Sequence, residues 1–255
     1  MIKNNMTQEE IDTLIKKSRL CGRVFEVETY NRDGRSSEIV VSYYINVKDN
    51  EYVLYIPNDV NSLVNHYNPY NNIRSIIRPG SRIKVIGGRD LQAVGMIFKG
   101  LNIKELDLTE ALFRDRIFSA PHMFCNCTAE KITGAKFDIS RAANASYISG
   151  MFRNAKLGNT DLTIIMNDIF KHRNNISNKI MDINIFKSLS CKSLNIEIVH
   201  KEIHRNKGLR ELSQSDIEEL YNPNCIIMDL KTVNAPNGIY CSDKRINSII
   251  TGWKK

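Results

Sequence analysis

His200 and His204 stand four apart with Glu202 between them. On a helix that spacing turns both imidazoles to one face, where a metal ion could sit. The order is not H-E-x-x-H, and the pair follows a segment that reads as a strand, so two exposed histidines explain it without a metal. Cys125-Asn126-Cys127 offers two thiols. One residue apart on an extended chain, they point to opposite faces; the reading is Cys127 inward and Cys125 outward. A zinc ion would need two further ligands, and His122 is the near candidate. Gly87-Gly88-Arg89-Asp90 after a strand has the outline of a phosphate turn. The chain lacks both G-x-G-x-x-G and G-x-x-x-x-G-K-[ST], and a turn needing positive φ accounts for the glycines. There is no G-x-S-x-G elbow, and no Asp/Glu couple stands out as an acid and a base. The expectation is a protein without catalytic residues, metal or cofactor, and not an enzyme.

A second pattern concerns binding. Four two-residue boxes recur: Ile97-Phe98, Met123-Phe124, Met151-Phe152 and Ile185-Phe186. The residue directly after each Phe is Lys99, Cys125, Arg153 or Lys187. If the Phe points in, its neighbour points out. Stacked units would then align a column with three positive charges, able to meet an acidic protein or a phosphate backbone. Ordinary solvated positions are the plainer explanation.

Charge patterning bears on the same choice. The formal net charge is +8 over 255 residues. Residues 96–208 hold 17 basic and 11 acidic residues, while residues 1–95 hold 13 and 11 and residues 209–255 hold 6 of each. The excess sits in the middle, as a nucleic-acid or acidic-protein binder would have it. Asn, Ile and Lys are heavily used, as in AT-rich genomes, which lowers the weight of each extra lysine. The start, MIKNNMTQEE, lacks an apolar signal core, and no run of about 18 apolar residues points to a membrane span. The expectation is a cytoplasmic chain with its six cysteines reduced, in which Asn126, Asn144 and Asn175 are not glycosylation sites.

The elements that must position these residues read as follows. Thr7 with Glu10 is a capping-box pair, and Ile11, Leu14 and Ile15 then share a helix face. Residues 22–56 read as a three-stranded antiparallel meander, with turns at Asn31–Gly34 and Lys48–Asn50. Residues 59–67 read as a short helix and Ser81–Ile86 as a strand. After Gly208, Ser213–Leu220 reads as a helix and Cys225–Leu230 as a strand.

Between them the chain repeats. The box phenylalanines are 26, 28 and 34 residues apart. Three residues after each Phe stands Leu101, Cys127, Ala155 or Leu189. Eight after stands Leu106, Ile132, Thr160 or Leu194, and ten after stands Leu108, Gly134, Leu162 or Ile196. The last two columns, two residues apart, fit one face of a short strand. No unit is large enough to bury its own apolar face, but stacking Phe on Phe and Leu on Leu gives a continuous core.

Met123-Phe124-Cys125-Asn126-Cys127, Leu106-Asp107-Leu108-Thr109 and Lys136-Phe137-Asp138-Ile139-Ser140 resemble, in turn, the MF-x-x-C box, the L-x-L strand and the third segment of the BspA-like leucine-rich repeats. Tyr55–Val60 and Val85–Gly88 resemble the segment preceding the repeats in small clostridial and phage-type members. The resemblance covers roughly residues 50–210. It implies a repeat stack that binds other macromolecules, without catalytic residues.

The expected fold class is therefore α+β: an N-terminal antiparallel β-meander with helix (1–95), a short leucine-rich-repeat solenoid of about four units (96–208), and a C-terminal capping segment (209–255). The expected function is a non-enzymatic protein–protein interaction module, of a kind a phage or mobile element would use to inhibit a host defence complex. Its expected partner is a protein with an acidic surface, met through Lys99, Arg153 and Lys187. Nucleic-acid binding by the basic face is the alternative; a membrane is not expected.

Overall fold

A computed structural model describes residues 7, 9, 13, 20–23, 27–31, 34–38, 43–56, 58, 77–142, 145–167, 184–199 and 224–253. Twelve strands have described bounds. Leu20–Arg23 (β1), Tyr43–Lys48 (β4), Glu51–Ile56 (β5), Ser81–Gly87 (β6), Asn102–Ala111 (β7) and Thr128–Thr133 (β8) form a sheet in the order β1-β4-β5-β6-β7-β8. Lys136–Asp138 (β9), Asp161–Asn167 (β10), Ser193–Val199 (β11) and Ile239–Cys241 (β12) form a second, in the order β12-β11-β10-β9. Among the described residues, Val27–Asn31 (β2) and Gly34–Glu38 (β3) pair only with each other. Two α-helices have described bounds, Asn224–Lys231 (α1) and Lys244–Gly252 (α2).

Pairing from β5 through β8 is parallel throughout, and so is pairing from β9 through β12. This corrects the expected α+β fold class of an antiparallel β-meander leading into a leucine-rich-repeat solenoid with a C-terminal cap. The described chain is mostly parallel sheet with few helices, an α/β-like arrangement, and shows no antiparallel meander or solenoid. The physical reason is connection length. The two residues between β4 and β5 permit only an antiparallel turn, and Asn50 supplies its positive φ of 61°. From Ile56 to Ser81 the link is long enough for the crossover that a parallel pair requires. Strands β2 and β3 pair with each other and, among the described residues, with no strand of the sheet. Period-2 alternation locates strands but is blind to their direction.

Other readings shift in detail. Cys225–Leu230 was expected as a strand and lies in helix α1. Ile226, Ile227 and Leu230 are buried while Met228 is exposed, a spacing that a 3.6-residue period satisfies. Short apolar runs are ambiguous between the two states. The last segment joins the stack directly: Asn234 bridges Ser190, and β12 adds a parallel strand at the sheet edge beside β11. Asp243 caps α2, its carboxylate accepting from the N–H groups of Arg245 and Ile246 at 3.0 and 3.1 Å. Of the helix expected from Thr7, only Thr7, Glu9 and Thr13 are described. The helices expected at 59–67 and 213–220 lie outside the described residues.

A single apolar cluster runs from Tyr52 to Ile250. The sheets contribute alternate residues, as in β10 and β11, where Leu162 lies opposite Leu194 and Ile164 opposite Ile196. That register is two residues away from the spacing that matched Leu162 to Ile196, because β10 starts two residues late relative to the bridge between Lys156 and Ser190. The other face of the first sheet carries paired charges. Arg82 lies between Glu51 and Glu105 at 3.6 Å from each, and Lys84 meets Glu110 at 2.6 Å. The exposed Arg82 pairs add little stability, while Lys84 and Glu110 are half-buried; together they keep the face polar.

Candidate interaction surface

The boxes are tight double turns. In the first three, the N–H three residues beyond the first position returns to that position's carbonyl, Lys99 to Met96, Cys125 to His122 and Arg153 to Gly150, and in the fourth the Leu189 N–H returns to the Phe186 carbonyl. Such winding requires left-handed backbone at the first and fifth positions. Met96, His122, Gly150 and Asn184 hold the first at φ of 60°, 54°, 62° and 45°. Gly100, Asn126, Asn154 and Ser188 hold the fifth at 68°, 57°, 56° and 56°. Gly and Asn are the residues that adopt this conformation at least cost, which explains their place in the fifth column.

Successive boxes lie directly on one another. Met96, Phe98 and Gly100 donate to the carbonyls of Pro121, Met123 and Cys125. His122, Phe124 and Asn126 donate to Ser149, Met151 and Arg153, and Phe152 and Asn154 to Ile185 and Lys187. The four phenylalanines follow the same register. Phe98, Phe124, Phe152 and Phe186 are fully buried, with centroids 5.1, 5.3 and 6.1 Å apart in succession. Phe137 of β9 closes edge-on against Phe124 at 5.5 Å. Leu101 and Cys127 are buried beside the boxes, and Leu106, Leu108, Ile132, Leu162, Leu194 and Ile196 are buried on the strands.

The residues after each Phe thus occupy one column of the ladder, with a step of about 4.8 Å between neighbours. Arg153 and Lys187 are exposed and Lys99 is half-buried. Cys125 shares this column and is not part of the apolar core, yet it is only 5 % exposed. A short side chain between the long ones of Lys99 and Arg153 is easily covered. Both cations act on this point. They draw the Cys125 thiol down, but burial outweighs them and raises it, so the thiol keeps its proton near neutrality. His122 is pushed below its ordinary 6.5, first by burial and then by Lys99 and Arg153, so its imidazole is neutral at pH 7. Its Nδ1 is buried, with no hydrogen-bond partner among the described residues. A Cβ on Gly150 would collide with that nitrogen, so the missing side chain at Gly150 makes room for the ring. Cys127 and Cys191 are pushed up to about 12, chiefly by burial. None of these thiols is a nucleophile at neutral pH; what the column offers chemically is positive charge.

Sequence reasoning did not single out Lys231, which lies beyond the ladder of boxes. Lys231 ends α1 three residues before Asn234, as Lys187 stands three before Ser190, and Asn234 bridges Ser190. Its Nζ lies 5.9 Å from the Trp253 ring centroid. The pair Leu230-Lys231, an apolar residue followed by a cation, was the available signal. Gly87 and Gly88 have φ of 88° and 73°, and a Cβ on Gly87 would collide with the Ile56 carbonyl. They close a strand turn. His200, Glu202 and His204 lie outside the described residues. Among the described residues no helix is long and apolar enough to cross a membrane. In comparisons with known proteins, no family model matches the chain, and no curated protein or solved structure matches it.

Proposed function

We propose that this chain is a non-enzymatic protein–protein interaction module whose basic column, Lys99, Arg153 and Lys187, meets an acidic surface on its partner. The supporting observation is the register: three cations share one column, a protonated thiol fills the remaining place, and no acid stands in it. An acidic surface is electrostatically complementary to such a column, which speeds encounter and fixes register. The backbone beneath is tied box to box, so the cations are presented on a rigid support with little ordering left for binding to supply.

The test is a pull-down from cell lysate with and without nuclease, using the wild type and the triple variant K99E/R153E/K187E. A stoichiometric protein partner should survive nuclease, and the pull-down would show whether it is a defence complex. The triple variant should bind about 10- to 100-fold more weakly, with a shallower salt dependence. Unchanged affinity would remove the column from the interface. Loss of every partner on nuclease treatment would transfer the column to a phosphate backbone, with affinity falling steeply as salt rises.

A further inference from the structure

The strip of stacked turns extends beyond the basic column. Phe118 N–H donates to the Gln92 carbonyl at 2.8 Å, and Ala120 N–H to that of Tyr147 at 2.7 Å. From there the same ladder passes through His122 and Phe124 to Asn126, whose N–H meets the Arg153 carbonyl at 2.9 Å. At its upstream end the rings of Phe118 and Tyr147 lie 5.0 Å apart, centroid to centroid, at 41°. Each is 38 % exposed, whereas the box phenylalanines alongside are fully buried. Arg116, also exposed, stands two residues before Phe118.

Resting on the interaction reading above, we propose that Phe118 and Tyr147 are the apolar anchor of the same interface. The partner's contact segment is then not uniformly acidic but combines carboxylates with bulky aliphatic or aromatic side chains. Three observations support this. The aromatic pair is continuous with the basic column through one hydrogen-bonded ladder, so a single partner can cover both. Cations stand near the anchor along the chain and along the ladder, exposed Arg116 two residues before Phe118 and Lys99 with Arg153 downstream, which suits an apolar side chain accompanied by acids. The two rings pack against each other at 41° and each stays 38 % exposed, so together they offer an apolar surface to a bulky side chain. Partly exposed aromatic residues beside arginine are the usual makers of interface hot spots. Phe118 to Asn126 spans eight steps, at most about 28 Å, within reach of an extended segment of about ten residues.

The probes are two ten-residue peptides, one alternating Glu and Leu and one alternating Glu and Ser, together with a ten-nucleotide oligo-dT, titrated against the full chain. The wild type should bind the Glu–Leu peptide at least 10-fold more tightly than the Glu–Ser peptide. Phe118→Ser with Tyr147→Ser should erase that preference through faster dissociation, leaving the salt dependence unchanged. K99E/R153E/K187E should weaken both peptides and flatten the salt dependence. Equal binding of the two peptides by the wild type, still lost on charge reversal, overturns the anchor and leaves the basic column standing. Tighter binding of oligo-dT, lost with Phe118→Ser, overturns both readings in favour of base stacking, and failure of either peptide to bind also overturns both. Should the double variant not fold, Phe118→Ala alone is compared against the same probes with the same outcomes.

Discussion

Asn126 shows how much a single position carries. Its φ of 57° lies in the left-handed region, its N–H holds Arg153 in register at 2.9 Å, and its Oδ1 accepts from Asn154 Nδ2 at 3.1 Å. The last bond is exposed and worth little; the backbone conformation is the larger matter. Asn126→Ala is expected to cost about 1 kcal/mol, because a Cβ-bearing side chain without Asn's local hydrogen bonds pays the full left-handed penalty. Asn126→Gly should be close to neutral, since glycine adopts this φ freely. Chemical denaturation of the two variants separates the explanations: equal losses would mean that the side-chain ladder, and not φ, is what matters at this column. At the same scale the column's chemistry is set by burial. Lys99 and Arg153 stand beside Cys125, yet its thiol is raised, because removing a thiolate from water costs more than two part-solvated cations return.

At the scale of elements, the phenylalanine stack and the parallel strands are two records of one geometry. Each box places a ring on the ring of the preceding box, and the chain then returns in the direction it came from. Among the described residues, Phe124 meets the rings of Phe98, Phe152 and Phe137, whereas Phe186 meets that of Phe152, at 6.1 Å. Ring pairs contribute about 0.5–1.5 kcal/mol each beyond their buried area. Phe124→Leu is therefore expected to destabilise the protein by about 1–2 kcal/mol more than Phe186→Leu, although both side chains are fully buried. Denaturant midpoints at constant m-value measure the difference. Equal losses would assign the stack's stability to area alone.

For the whole molecule, the joined core makes a prediction about cooperativity. One apolar cluster links β5, both parallel sheets and the two C-terminal helices. Trp253 is the one tryptophan and sits at the C-terminal end beside Lys231, 38 % exposed. Its fluorescence should report the same unfolding midpoint as the far-UV signal of the sheets, as a cooperative unit requires. An earlier fluorescence transition would show that α1, α2 and β12 detach before the rest. Rigidity across the core also bears on recognition: the basic column and the Phe118–Tyr147 pair stay in fixed relation only while the boxes between them hold together.

The box phenylalanines were legible from their types and spacing because every turn of a stack must put an apolar side chain at the same place, whatever the chain does in between. The three column cations were legible for the same reason, each being the next residue along. Strand direction was not. Alternation reports which face is buried, while direction depends on whether the connecting segment turns back at once, as at Asp49-Asn50, or crosses over, as before Ser81. The two-residue offset of β10 and the helix at Asn224–Lys231 were likewise decided by packing against neighbours that a local pattern does not contain. The surface cluster was the least legible part. Phe118 and Tyr147 are 29 residues apart with no motif between them, and only the stacking of one turn on the next makes them a pair. What the sequence determined by itself was the repeating set of side chains that had to be buried together. The tertiary structure decided how the segments between them run, and so which exposed groups meet on the surface.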